Sequence, residues 1–421
     1  VMAEGGINAA LNTKDENDSP EEHFTDTIKA ACGLADPNAV WGMTQAAPEL
    51  VHWLLKLGVK FNMSGYDDVD LRNFGGQKKK RTAFAQSDTG KQIMTAMIDA
   101  VRRKEASGMV ERFSHHSFLT LRLCGNICCG CVIRDEYSQE TVELPGNAVI
   151  VASGGMHGLF GNTTGSLSNT GEVTAELFRL GVPLANGEMI QYHPTTVKCG
   201  GKRMLISEAA RGEGGRLFAM KDGKQWYFME EKYPELGNLM PRDITAREIW
   251  NVSHESEVFL DMTEISDEII SNKLSGLADD CMTYLHKDIR KEPVSVLPGI
   301  HYFMGGILVD EQHRTPIQNL CAAGECCAQY HGANRLGGNS LLGALYGGRV
   351  AAKSACEQAD VVDLSCATQI DFPPASQISE IKQLNKVMQE TMGVVRNENT
   401  LLNGIKTVQA LTGNLPLLGM A

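Results

Sequence analysis

A chain of 421 residues, 43% hydrophobic and 21% charged, has ordinary globular composition and room for two or three domains. Its formal net charge of −12 opposes nucleic acid as a partner and opposes a basic membrane-binding face. No apolar run reaches the roughly 18 residues that a membrane-spanning helix needs, so direct membrane insertion of this chain is not expected.

Ser19-Pro20-Glu21-Glu22 predicts a helix start, with a hydroxyl cap, a proline in the first turn and a capping-box glutamate. Gly33 is expected to end that helix. Asp36-Pro37 opens a second, running toward Gly58. Lys78-Lys79-Lys80-Arg81 reads as a solvated basic run. Asp88-Thr89 precedes an amphipathic helix with Ile93, Met97, Ile98 and Val101 on one side. Strand signals follow at 119–123, 131–134 and 141–144. Cys124-Gly125-Asn126 would turn a hairpin in which cysteine serves as a small hydrophobe. Alternation along that hairpin would send neighbouring thiols to opposite faces, which argues against a metal site there. The 12 cysteines are read as unpaired thiols of a reducing, low-oxygen interior. His115, His116 and His157 lack ligand spacing and are expected at the surface.

Ala148-Val-Ile-Val-Ala152 is fully apolar and ends in Ser153-Gly154-Gly155. That is the pattern of a buried central strand with a tight turn at its carboxyl end, where open α/β sheets bind cofactors. Thr170-Gly171-Glu172 begins a helix that reaches Leu180. From 190 to 300 the texture changes to polar loops, Trp226, Trp250 and scattered helices, which suggests an inserted domain. The α/β pattern returns at Leu320-Cys-Ala-Ala323, ahead of Gly324-Glu325. Phe372-Pro-Pro leads into a helix with Ile378, Ile381 and Leu384 on one face.

Three stretches carry chemistry. His331-Gly-Ala-Asn-Arg335-Leu-Gly-Gly-Asn-Ser340 sets a cation, two amides and a hydroxyl on permissive backbone just before an apolar helix, and free N–H groups at such a helix start suit an anion or cofactor. Ile206-Ser-Glu208-Ala-Ala-Arg211-Gly-Glu213-Gly-Gly215 places two carboxylates beside an arginine, and Gln191-Tyr-His193-Pro-Thr offers an imidazole at a bend. Together they describe a pocket for a small dianion beside a large planar cofactor.

With these motifs in order, the chain resembles the flavoprotein subunit of fumarate reductase and succinate dehydrogenase, with L-aspartate oxidase as a relative. The likeness runs almost end to end: Ala3-Glu4-Gly5-Gly6, Phe74-Gly75-Gly76, Arg81-Thr82-Ala83-Phe84-Ala85, Ala152-Ser153-Gly154-Gly155, Pro241-Arg242-Asp243 and His301-Tyr-Phe-Met-Gly-Gly join the stretches above. The resemblance implies an α/β fold: an FAD-binding Rossmann-like domain over 1–189 and 301–360, an inserted α+β capping domain over 190–300, and a linker with the start of a helical domain over 361–421. The family's first βαβ unit, with Gly-x-Gly-x-x-Gly for the adenine half of FAD, would end just before Val1, and its flavin-linked histidine would sit two residues before it. The chain therefore reads as an incomplete copy of a longer polypeptide.

The same resemblance implies roles. His193, Ser207, His301 and Arg335 would hold the two carboxylates of fumarate. Gly5 would let a backbone N–H approach the substrate, and Phe74 would wall the site. Arg242 would donate the proton, resupplied through Glu208 and Arg211. Glu4, Gly5, Gly6, Ser153, Gly154, Glu172, Glu325, Arg335, Ser340 and Leu341 would bind FAD, with Glu325 on a sugar hydroxyl and Ser340 and Leu341 offering backbone N–H groups to the flavin. No metal is expected. Glu4 and Arg81-Thr-x-Phe-Ala lean toward the reductase, because the dehydrogenase branch tends to have Gln at position 4. The competing expectations are L-aspartate oxidase and a non-catalytic flavin-binding or assembly module. The family implies an iron–sulfur subunit as electron partner, and a cytoplasmic chain held at the inner face of the membrane through its partners.

Overall fold

The computed structural model describes residues 3–358, 378–411 and 415–421. Two capped helices stand near the start. Ser19 accepts the Glu22 N–H ahead of Pro20–Ala31, and Asp36 accepts those of Asn38 and Ala39 ahead of Pro37–Lys56. Each begins with a proline, at a position where no intrahelical N–H is needed. The first helix stops without using its glycine as the cap: Cys32 itself turns left-handed at φ 53°, and Gly33 follows at φ 79°. In Thr89–Ala106 the buried residues are Thr89, Gly90, Ile93 and Ala96. Ile98 and Val101 are 41% and 47% exposed, so only the first two turns lie on the core and the expected apolar face is cut short.

His116–Cys124, Ile127–Asp135 and Thr141–Pro145 form a three-stranded antiparallel sheet. Between the pairs Arg122–Gly130 and Leu123–Cys128 the register slips, leaving Cys129 as an extra residue beside Gly130 at φ 137°. This bulge cancels the expected alternation, and Cys128 and Cys129 are both fully buried. Ten described cysteines carry free thiols. Cys124 is disulfide-bonded, which corrects the reading of every cysteine as unpaired.

The apolar run at 148–152 yields a short strand, Val149–Val151, parallel to Leu320–Ala322. It is less buried than expected. Ile150 shares a face with Cys321, where Asn339–Gln358 covers Cys321 but leaves Ile150 41% exposed. The segment between 190 and 300 has a core of its own. Leu217, Val258, Leu260, Ile249 and Ile270 gather about a four-stranded antiparallel sheet built from Arg216–Lys221, Lys224–Trp226, Val258–Asp261 and Val294–Ser295. Phe74 reaches into that core from far away in sequence. The strands at the two ends of the segment, Ile190–Cys199 and Leu297–Phe303, are antiparallel neighbours, so the chain enters and leaves it side by side. At the carboxyl end Leu384, Met388, Val408 and Leu417 pack on Phe160, Ile300 and Phe303. The side chain of Ile378 and the Phe372-Pro-Pro link lie outside the described residues.

Arg81 corrects the reading of 78–81 as solvated. Lys78 and Lys80 are exposed, but Arg81 is fully buried, 2.8 Å from Asp18 and 3.0 Å from Asp26. Nearby, Asn8 donates to Gly337 O and to Asn339 Oδ1, and Asn339 donates to Thr27. His23, also fully buried, lies 2.9 Å from Asn339 Oδ1. These contacts join the amino-terminal strand and helix to the loop and helix at 337–339. Replacing Arg81 by Met leaves Asp18 buried without its cation and should cost roughly 3–5 kcal/mol in urea unfolding. A loss within 0.5 kcal/mol would contradict that role.

Candidate active site

A cavity of about 350 Å³ is lined by Glu4, Gly5, Gly6, Phe74, His193, Ser207, Glu208, Arg242, His301, Glu325, Arg335, Ser340 and Leu341. Thirteen of the expected site residues thus meet at one place, although they span positions 4 to 341. Arg211 stands behind Glu208, its Nη2 3.5 Å from Oε1. Ser153, Gly154 and Glu172 do not line the cavity. Gly154 turns left-handed at φ 74° against Asn169, which does line it, and Glu172 accepts a hydrogen bond from Thr170.

The two histidines are delivered by strand irregularities. His193 lies inside Ile190–Cys199 and not at a bend, with Pro194 next to it. Opposite, Ile300 pairs with Tyr192 and Tyr302 with Gln191, so His301 is the residue with no partner in register. Bulges of this kind re-aim side chains beside active sites. Here one sets the His301 ring against His193, with centroids 5.1 Å apart. His193 Nδ1 is occupied by the Thr195 backbone, and His301 Nδ1 lies 2.7 Å from Thr164 Oγ1.

Arg242 opens the helix Arg242–Val252 and is held on two sides. Its Nε and Nη2 donate to Glu208 Oε2 at 2.8 and 2.6 Å, and its Nη1 donates to Gln191 Oε1 at 3.0 Å. The other carboxylate oxygen of Glu208 accepts from the Gly75 N–H at 2.8 Å. Glu208 and Arg211 sit three apart on the short helix Glu208–Gly212, which Ser207 caps, and so share a face as their spacing implies. Backbone presses closely on this pair. A Cβ on Gly337 would come within 2.6 Å of Phe74, 2.9 Å of Glu208 Oε2 and 3.1 Å of Arg242 Nη2. Arg335 lies over the Tyr302 ring at 4.3 Å, a cation–π contact.

Arg211 and Arg242 share one carboxylate, Glu208, while Arg335 is acted on by Glu325 ahead of Glu208, so three guanidiniums face two carboxylates, an excess of one positive charge around the cavity. Burial alone would raise the Glu208 pKa, but Arg242 and Arg211 outweigh it and hold the group below its ordinary value. Burial, then Arg242, pulls Arg335 down to about 9, so it stays cationic at neutral pH. Burial and Arg242 push His193 and His301 well below the usual imidazole range, so both are neutral donors or acceptors there.

Three residues escaped the sequence reading of the site. Gln191 couples Arg242 to the Arg335 loop by donating to Asn334 Oδ1 and Arg335 O. It stood in a quoted motif, but nothing local marked its amide. Tyr302 acts as the platform for Arg335. His157, expected at the surface, is 3% exposed and lines the cavity, with Nε2 3.2 Å from Glu325 Oε1. That pairing spans 168 positions and has no local signature.

The site suits a planar cofactor bearing hydroxyl groups. Among the described residues, Glu4 Oε2 and Arg335 Nε are buried without hydrogen-bond partners in the cavity wall. Gly5, Gly6 and Gly338 bring bare backbone to the same wall, and Ser340 and Leu341 begin a helix there, where N–H groups have no intrahelical acceptor.

A protein-family profile described as FAD binding domain matches residues 1–341. The chain is 39% identical over 427 residues to the succinate dehydrogenase flavoprotein subunit of Bacillus subtilis, covering 99% of this chain and 72% of that one. It is 32% identical over 432 residues to the 8-methylmenaquinol:fumarate reductase flavoprotein subunit of Wolinella succinogenes, covering 96% and 69%. Identity to the L-aspartate oxidase of Nostoc sp. is 31% over 427 residues, covering 97% and 72%. Among solved structures, an E. coli quinol fumarate reductase mutant superposes over all of this chain and 79% of that one, with TM-score 0.88 and 26% identity.

Burial, with Asp280 second, raises Glu4 from its ordinary 4.5 to about 8. An acid whose folded pKa is raised contributes stability that is complete below about 4.5 and is lost as pH rises through about 8. The melting temperature should therefore fall between about pH 4.5 and 8 and level off above that, and Glu4→Gln should flatten the fall. An equal fall in both proteins would contradict the assignment.

Proposed function

We propose that this chain, which belongs to the succinate dehydrogenase and fumarate reductase family of FAD-dependent oxidoreductases, interconverts fumarate and succinate. The convergence of Arg242, Arg335, His193, His301 and Ser207 on one buried cleft carries this reading, because two guanidiniums among neutral hydrogen-bonding groups suit the two carboxylates of a small diacid.

When bound, FAD would supply a hydride to fumarate in its reduced form and accept one from succinate in its oxidised form. Glu4, Gly5, Gly6, Glu325, Arg335, Ser340 and Leu341 are the cavity residues we assign to holding it. Ser153, Gly154 and Glu172 we assign to a more distant part of the same cofactor, since a Cβ on the neighbouring Gly155 would meet Glu325 Oε1 at 2.6 Å. His193, Ser207, His301 and Arg335 bind the two carboxylates, and Phe74 closes one side. Arg242 gives its proton to the alkene carbon that hydride does not attack. A guanidinium is a poor acid in water, but that carbon becomes strongly basic as hydride arrives. Glu208, hydrogen-bonded to Arg242 and adjacent to Arg211, passes a replacement proton from solvent back to Arg242. Residues 190–300 act as a cap that keeps water out while charge moves.

Fumarate reduction is the direction we assign, on Glu4 and the Arg81-Thr82-Ala83-Phe84-Ala85 run. Electrons would pass through an iron–sulfur subunit that holds the chain at the inner face of the membrane. The similar proteins named as flavoprotein subunits support the presence of a partner subunit. Among the described residues no helix is long and apolar enough to cross a membrane.

The FAD-loaded chain should turn over fumarate with a reduced dye and make no peroxide from L-aspartate. The reverse result selects the oxidase. Arg242→Ala should lower turnover by roughly 10²–10⁴-fold while the flavin spectrum and binding of a succinate analogue survive. An equal loss of binding would make Arg242 structural.

A further inference from the structure

A second cavity, of about 300 Å³, adjoins the first. The two share Glu4, Thr164, Leu205 and His301 as a partition. On its far side the second cavity is walled by Cys199, Lys202 and Tyr284. Lys202 is exposed and Tyr284 is 56% exposed, so this side meets solvent. Two features of that wall are unusual. Lys202 follows the Gly200-Gly201 turn, where an added Cβ would meet nothing within 4 Å, so the turn stands clear of neighbouring atoms. Tyr284 sits on the π-helical turn Cys281–Leu285, which ends in a left-handed His286 at φ 56°. Such turns are rare and are frequently found at functional sites.

We propose that this chamber is the route by which a small dicarboxylate enters the active site, with Lys202 drawing the dianion in. The inference rests on the dicarboxylate reading given above. A chain of net charge −12 repels a dianion over most of its surface, so a local cation beside the opening has a large effect on encounter. Lys202 forms no ion pair among the described residues, and Arg203 next to it is buried with its guanidinium bonded to Thr196 and to the carbonyl of Leu297. Burial keeps Glu4 largely neutral below about pH 8, so the partition sets no full negative charge in the path. Asp280, Asp88 and Arg72 act on it from behind, and Lys202, Arg203 and His301 line the chamber it faces.

The test is stopped-flow binding of malonate to the FAD-loaded full chain, followed by flavin absorbance. Cys199 lines the outer chamber only, and Cys199→Trp should obstruct it. Association and dissociation should then slow together, about tenfold, with Kd unchanged, because a plug in a path alters rates and not the equilibrium. Lys202→Glu alters an exposed residue and leaves the core alone. It should slow association about tenfold and flatten its salt dependence. Normal malonate binding with wild-type rates in both variants overturns the route. Failure of the wild-type chain to bind malonate overturns the dicarboxylate reading, and the route falls with it.

Discussion

One buried carboxylate organises this site. Glu208 has a side chain 1% exposed, and it takes two hydrogen bonds from Arg242, one from the Gly75 amide, and the nearby charge of Arg211. Removing an ion from water is costly unless its partners replace the lost hydration in good geometry. Every neighbour of Glu208 is therefore constrained. Gly75 and Gly337 leave room for the pair, Gln191 fixes the third edge of Arg242, and Phe74 fills the space between the site and the core of the 190–300 segment. The arrangement remains positively charged by design of its stoichiometry. Three guanidiniums against Glu208 and Glu325 leave one positive charge over, which a bound anion would complete.

The fold serves this requirement with irregular strands. His301 reaches the cavity because it falls out of register, and His193 because a proline follows it in a strand whose pairing also slips. On the opposite wall the loop and helix start at 337–341 are pinned by Asn8, Gln77 and Asn339, so backbone there is fixed before any ligand arrives. Rigid backbone on one side and a separate core on the other make a cleft whose two walls come from different parts of the chain.

Much of this was legible in the residues. Caps at Ser19 and Asp36 act over three positions, and both stand where local rules put them. The motifs around Glu208, Arg242 and Arg335 named the residues that meet in the cavity. What failed depended on distance. Arg81 looked solvated because its partners, Asp18 and Asp26, lie some sixty positions upstream. His157 looked superficial because Glu325 is 168 positions away. Cys128 and Cys129 were assigned to opposite faces by a period of two, which a single bulge overrides. The second chamber left no mark in the sequence, since its lining is shared among a hairpin, a π-helical turn and the active-site wall.

The most direct test of the central claim is a crystal structure of the FAD-loaded chain with a bound four-carbon diacid. The account predicts one carboxylate at Arg335 and His301, the other at His193 and Ser207, and Arg242 facing the carbon between them. A diacid that leaves Arg242 and Arg335 without contact, or a cavity that stays free of diacid at saturating concentration, would contradict it.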